Sequence, residues 1–187
     1  PALPMIATDL GAENNQQQFV ISSFLISFGF AQMFFGPLSD AIGRRAVIMI
    51  GIFVYIAGSL LCVFAVDFND ILIGRALQGI GAAGPRVTTI AIVRDKYQGD
   101  SMARVMSLIM MVFILGPILA PAIGQGIMLF TDWRAIFASL IGLSLVAFVW
   151  FGLRQPETLT DDKRRPFSLR HIAGSVAEIF RTRTSIG

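Results

Sequence analysis

The sequence predicts an all-α, multi-pass membrane protein, on three observations. First, 55% of the 187 residues are hydrophobic and only 14% are charged, with a mean hydropathy of +0.70, where a soluble domain carries roughly a quarter charged residues. Second, the charges are segregated. Residues 14–39, 46–66, 105–131 and 135–153 contain none, and each run meets the roughly 18-residue length of a membrane-crossing helix. A fifth run, 71–93, has the same length and flanks but is interrupted by Arg75 and Arg86. Third, lysine and arginine fall on alternate connections between these runs, as they do when positive loops stay on the cytoplasmic side.

That asymmetry sets the orientation. One side holds Arg44 and Arg45, then Arg94, Lys96 and Arg104, then Arg154, Lys163, Arg164, Arg165 and Arg170. The other has only Arg134, beside Asp9, Glu13, Asp67, Asp70 and Asp132. Loop 40–45 and residues 154–187 are therefore expected in the cytoplasm. The net charge of +3 reports topology and contact with anionic lipid headgroups. No nucleic-acid-binding module accompanies it, and nucleic acid is not expected as a partner.

Taken in order, residues 1–8 are expected to be the end of a first helix, because the chain opens on Pro1-Ala2-Leu3-Pro4 with neither an initiator Met nor a basic leader. This reading makes the sequence a fragment of a longer chain. Helix 2 is expected at 16–38, helix 3 at 46–66, helix 4 at 71–93 after the tight turn Asp67-Phe68-Asn69-Asp70, helix 5 at 105–130 and helix 6 at 134–153. Trp133 and Trp150 fall near opposite ends of helix 6, where amphipathic rings favour the headgroup zone. Together 1–153 form a membrane bundle and 154–187 a charged linker. Within the linker Leu169, Ile172, Val176, Ile179 and Phe180 recur at helical spacing, which fits an amphipathic surface helix or a linker with accidental periodicity. His171 reads as a solvated residue there, and Cys62, the only cysteine, has no disulfide or metal partner.

Three segments carry candidate function. Gly36-Pro37-Leu38-Ser39-Asp40-Ala41-Ile42-Gly43-Arg44-Arg45 occupies the short turn between helices 2 and 3. Gly36 is small enough for helices to approach and Gly43 frees the turn of Cβ clashes. Asp40 can pair with Arg44 or Arg45, with Arg94, or with the positive amino end of a helix. In helix 4, an arginine within a span costs roughly 2.5–3.5 kcal/mol on insertion scales and so turns toward protein or water. Arg75 is expected to point inward. Arg86, eleven residues on, shares nearly its face, so both would line one polar path unless Arg86 snorkels to the interface. Pro85 suggests a local kink. In helix 5, Gly116, Ala120 and Gly124 form a smooth strip, with Pro117 and Pro121 bending the helix.

The segment 36–45 resembles the signature of the major facilitator superfamily, G-x-L-x-D-x-x-G-R-R/K. Arg75, Gln78, Gly79 and Gly81 resemble the family's R-x-x-Q-G-x-G pattern, and Gly116-Pro117 through Gly124 resembles the antiporter signature of its exporters. The second proline, Pro121, is typical of the bicyclomycin and chloramphenicol resistance (Bcr/CflA) subfamily, as are Asp132-Trp133-Arg134 and Pro156-Glu157-Thr158. The resemblance covers essentially the whole chain. It implies an amino-terminal six-helix bundle, partial here, whose partner is a carboxy-terminal half of the same transporter, with substrate held between the halves near the bilayer midplane.

It further implies that Gly36, Asp40, Gly43, Arg44 and Arg45 form a conformational latch. Arg75 would take part in proton coupling with a carboxylate preceding Pro1. The expected activity is proton-coupled export of drug-like amphipathic compounds by alternating access across a bacterial inner membrane. No cofactor is expected, the proton gradient being the energy source. Candidates to line the cavity are Arg75, Gln78, Arg86, Met110, Met111 and Phe113. Proton symport of a small metabolite, or a truncated non-transporting fragment, are the alternatives. An enzyme would require a nucleophile with its base or a metal-ligand set at membrane depth, and a channel a charge ring or filter loop. None of these is visible in the sequence.

Overall fold

A computed structural model describes residues 2–12 and 16–159. The expected amphipathic segment at 169–180, with His171, lies outside the described residues. Six helices follow one another: α1 Leu3–Asp9, α2 Gln17–Ile42, α3 Arg44–Val63, α4 Phe68–Lys96, α5 Gly99–Met128 and α6 Arg134–Arg154. The regular structure of the described residues is all helix, which lets each backbone N–H and C=O in hydrocarbon be satisfied within its own segment. Among the described residues α2, α3, α5 and α6 are each long and apolar enough to cross a membrane. At 29 residues α4 is also long enough, but it carries Arg75 and Arg86 in its interior.

The helices depart from their expected bounds mainly by running further. Hydropathy marks the hydrocarbon slab, whereas a helix continues into the headgroup zone until something stops it. Thus α2 continues to Ile42 and α3 begins at Arg44, leaving Gly43 alone, at φ 103°, as the break between them. Most of the expected signature loop is helix, and Asp40 sits in the last turn of α2. The turn before α4 is closed by a capping box in which the Asp67 and Asp70 side chains accept each other's backbone N–H groups. Pro85 lies inside a continuous α4, as do Pro117 and Pro121 inside a continuous α5.

α4 forms the centre, set into the groove between α2 and α3, while α6 packs on the far side of α3. Glycine lets the backbones touch. A methyl group built on Gly58 of α3 would lie 2.6 Å from the Gly74 carbonyl of α4. One on Gly51 would lie 2.7 Å from the Gly81 carbonyl and 2.6 Å from Pro85 Cδ. Gly51 and Gly58 are seven residues apart, as are Gly74 and Gly81, so the antiparallel pair meets twice along one seam. Gly36, the glycine expected to bring helices together, meets only Val87 Cγ1 at 3.8 Å, an ordinary contact.

Two buried clusters fill the bundle. One, at the end holding the α1–α2 and α3–α4 connections, comprises Ile6, Val20, Cys62, Ala65, Ile71, Trp133 and Phe137. The other, toward the basic end, comprises Ala31, Phe35, Val47 and Ala83. Trp133 is buried, 2% exposed, against Phe137, whereas Trp150 is open. Packing in the first cluster therefore holds the Trp133 ring. Large apolar side chains such as Phe30, Phe53, Ile118 and Phe130 stand exposed around the bundle. In water this much open apolar surface would be an aggregation hazard; in lipid it meets its own kind.

Candidate switch and cavity sites

At the basic end, Arg44 is the hub. Its side chain is only about a tenth exposed, yet its guanidinium pairs with Asp40 at 2.6 Å and with Asp95 of α4 at 3.2 Å, and donates to Ser39 Oγ. Asp40 thus finds the first of its expected partners. Among the described residues the ion pairs of Arg44 link α3 to the last turn of α2 and the last turn of α4. Arg45 points elsewhere and donates to the Gly152 carbonyl near the end of α6.

The amino end of α3 has no cap from its own N-cap residue, since Gly43 carries no side chain. Glu157, which follows α6, supplies one. Its Oε1 accepts from Arg44 N–H at 3.0 Å and its Oε2 from Arg45 N–H at 3.2 Å. The same Oε1 accepts from Thr158 and Leu159 N–H at 2.9 and 3.0 Å. Partial burial opposes the charge, but the four backbone donors outweigh it and hold the carboxyl below its ordinary range. The positive end of the α3 dipole favours the same anion. The sequence offered two signals for this cap: an acidic residue just beyond a span, and a glycine at the start of a helix without a capping side chain.

Deeper in the bundle the two arginines of α4 part company. Arg75 donates from Nε to the Val20 carbonyl at 3.2 Å and from Nη1 to Gln78 Oε1 at 2.7 Å, with its guanidinium 4.5 Å above the Phe24 ring. Gln78 passes the chain on, donating to Ser59 Oγ at 2.7 Å, and Ser59 donates to the Tyr55 carbonyl at 2.8 Å. Gln78 and Ser59 are fully buried. Arg86 instead lies 3.9 Å above the Phe113 ring of α5. Its Nη1 is buried with no hydrogen-bond partner among the described residues.

Arg86 and Phe113 line a cleft of about 720 Å³ together with Phe28, Tyr55, Gly116 and Pro117. Neither Arg75 nor Gln78 reaches its wall, nor do Met110 and Met111. The single polar path expected for both arginines is therefore two environments, with Phe24 touching Arg75 and also lining the cleft. The α5 strip is mostly unpacked: Gly116 has nothing within 4 Å of its Cβ position, while Gly124 meets Ile136 Cδ1 at 3.8 Å. Pro121 is not in the cleft lining.

At the other end of the bundle sits a cluster that sequence reasoning missed. Asp9, the last residue of α1, pairs with Arg134 at 2.8 Å and accepts from Trp133 Nε1 at 3.1 Å. Arg134 also donates to the Ala65 carbonyl at 3.2 Å and lies 4.3 Å over the Trp133 ring. The segment Asp132-Trp133-Arg134 was legible as a helix start, but its partner lies 125 residues away.

A bundle that is apolar outside, glycine-packed within and turns its intramembrane arginines inward is that of an integral, multi-pass membrane protein. The chain belongs to the Major Facilitator Superfamily, whose sequence pattern matches residues 1–185. Among curated relatives, it is 35% identical over its whole length to a bicyclomycin resistance protein homolog of Haemophilus influenzae, of which it spans 47%. It is 36% identical, over 77% of its length, to the multidrug resistance protein MdtL of Klebsiella pneumoniae, of which it spans 37%. The chain thus spans at most about half the length of these relatives. Its fold matches the crystal structure of the human organic anion transporter MFSD10 with a TM-score of 0.68, covering 91% of this chain and 41% of that one at 23% identity.

Proposed function

We propose that this chain is the amino-terminal bundle of a secondary transporter that exports drug-like amphipathic compounds in exchange for protons. The observation that carries the reading is the pair of α4 arginines, one held in a buried hydrogen-bonded chain and one set in a largely apolar cleft with an unpaired donor. Both arginines are partly buried and pair with no carboxylate among the described residues, and a cation so placed at membrane depth is costly unless it serves a ligand, a proton or a partner group. Arg75 suits coupling, because protonation of a nearby acid would change its surroundings. Arg86, Phe113 and the cleft suit a soft, amphipathic ligand. The names of the relatives, which speak of bicyclomycin and multidrug resistance, support the substrate class. The basic end would face the cytoplasm of a bacterial inner membrane, and a carboxy-terminal half would complete the transport path.

The test is efflux of a fluorescent drug-like cation and of a neutral antibiotic from proteoliposomes of the full-length protein under an imposed proton gradient, comparing wild type with Arg75→Ala. Gradient-dependent export that the substitution abolishes is the expected result. Gradient-driven accumulation in the opposite sense would establish symport, and no flux of either kind from folded protein would remove the drug-export reading.

A further inference from the structure

The cap on α3 is unusual in where it comes from. Glu157 is 113 residues from the amide of Arg44 and follows the end of α6. Local capping residues stabilise a helix end whatever the rest of the protein does. A remote one holds only while two parts of the chain stay together. Three features show that the site is built for this carboxylate. Both its oxygens are engaged, one on each of two successive α3 amides, while Oε1 also gathers the amides of Thr158 and Leu159. Gly43 leaves it room: a Cβ there would lie 2.5 Å from Oε2, and φ 103° is strained for any side chain. The Arg45 side chain adds a further donor from α3, to the Gly152 carbonyl of α6, so the start of α3 is tied to the end of α6 by its side chain as well as by its amides.

The tie meets the Arg44 hub at its own backbone. The same residue whose guanidinium joins α2 and α4 through Asp40 and Asp95 gives its N–H to Glu157. A shift of the start of α3 would therefore move the guanidinium that holds those carboxylates and the donors of the cap together.

We propose that Glu157 is a positioning residue of the conformational switch: its carboxylate fastens the segment after α6 to the α2–α3 turn in one state of the transport cycle and releases it in the other. The inference rests on the alternating-access reading of the protein, and its test separates the two. Hydrogen exchange is followed on the full-length protein in proteoliposomes, at rest and under a proton gradient with the fluorescent cation present. In wild type the amides of Arg44, Arg45, Thr158 and Leu159 are protected at rest and lose protection together under turnover.

Glu157→Gln keeps the shape but offers one acceptor and places an NH2 against an amide donor. It should raise exchange at those four amides about tenfold at rest, the scale expected for loss of charge-assisted bonds, and leave no further change under turnover. Gly43→Ala, which fills the carboxylate's place while retaining Glu157, should give the same pattern. Unchanged resting exchange in both variants overturns the proposal. So does a rise spread over all of α3 and α4, which would mark general destabilisation. Protection that is equal at rest and during measured transport would make the cap static and overturn the switching role. If no transport occurs, the functional reading fails by the efflux assay, and the resting comparison still decides whether Glu157 fastens the two segments.

Discussion

The guanidinium of Arg86 lies 3.9 Å above the ring of Phe113, joining α4 to α5 across a cleft in which the two helices otherwise scarcely meet. A cation over an aromatic face contributes roughly 0.5–2 kcal/mol, the larger figure applying where water is excluded. Here one guanidinium nitrogen is sealed from solvent without a hydrogen bond, so the ring face is the main group neutralising that side of the cation. Phe113→Leu keeps the apolar volume and removes the quadrupole. The expected outcome is a loss of about 1 kcal/mol in stability, read as a lower thermal midpoint in detergent, with a larger loss for Phe113→Ala.

The seam between α3 and α4 has no room for a side chain. Gly58→Leu would drive atoms into the Gly74 carbonyl, which lies 2.6 Å from its Cβ position, and the helices would have to separate. Overpacking typically costs about 1–3 kcal/mol, and backbone offers less give than a side chain, so little folded protein should be recovered. Gly142→Ala on α6, where nothing lies within 4 Å, should fold like wild type. Size-exclusion profiles of the two variants make the comparison.

Removing Arg44 should cost more than removing its partner. Its side chain is 9% exposed, against 42% for Asp40. Breaking a buried pair from the buried side typically costs about 3–5 kcal/mol, whereas an exposed carboxylate contributes about 0–1 kcal/mol. Arg44→Ala should therefore lower the thermal midpoint well below that of Asp40→Asn. Asp95 remains as a second partner in the latter, and loss of stability in the opposite order would contradict the placement of Arg44 as the hub.

Asp9 gives a pH signal. The Arg134 hydrogen bond, then that from the Trp133 indole, hold its carboxyl below the ordinary 3.8. A depressed carboxyl stabilises the fold fully above its unfolded value and loses that contribution as pH falls through the folded one. Contact between Asp9 and Trp133 should thus persist down to 3.8 and be released only below it. Tryptophan fluorescence of a Trp150→Phe protein should show a transition in that acid range, and Asp9→Asn should abolish it.

Much of the architecture was legible without coordinates, because hydropathy is a local property and the bilayer fixes its length scale. Uncharged runs located α2, α3, α5 and α6, and flanking charges located α4 despite its arginines. The glycine of the turn was legible at Gly43, whereas Asp40 had several possible partners in the sequence, of which the structure gives it Arg44. Even the glycine seam had a signature, the seven-residue interval repeated in α3 and α4, although Gly36 drew attention instead.

What the sequence by itself determined is that this chain spans a membrane several times, with its basic turns on one side and a charged signature between α2 and α3. Only the tertiary structure decided which groups meet. Arg75 and Arg86 project from nearly one face of α4, yet the Val20 carbonyl draws one toward α2 and the Phe113 ring draws the other toward α5. Glu157 caps a helix that begins 113 residues earlier, and Asp9 binds an arginine 125 residues later. Such pairings depend on the rotation and tilt of whole helices. These are set by where glycine permits backbones to touch, and no periodicity within a single segment records them.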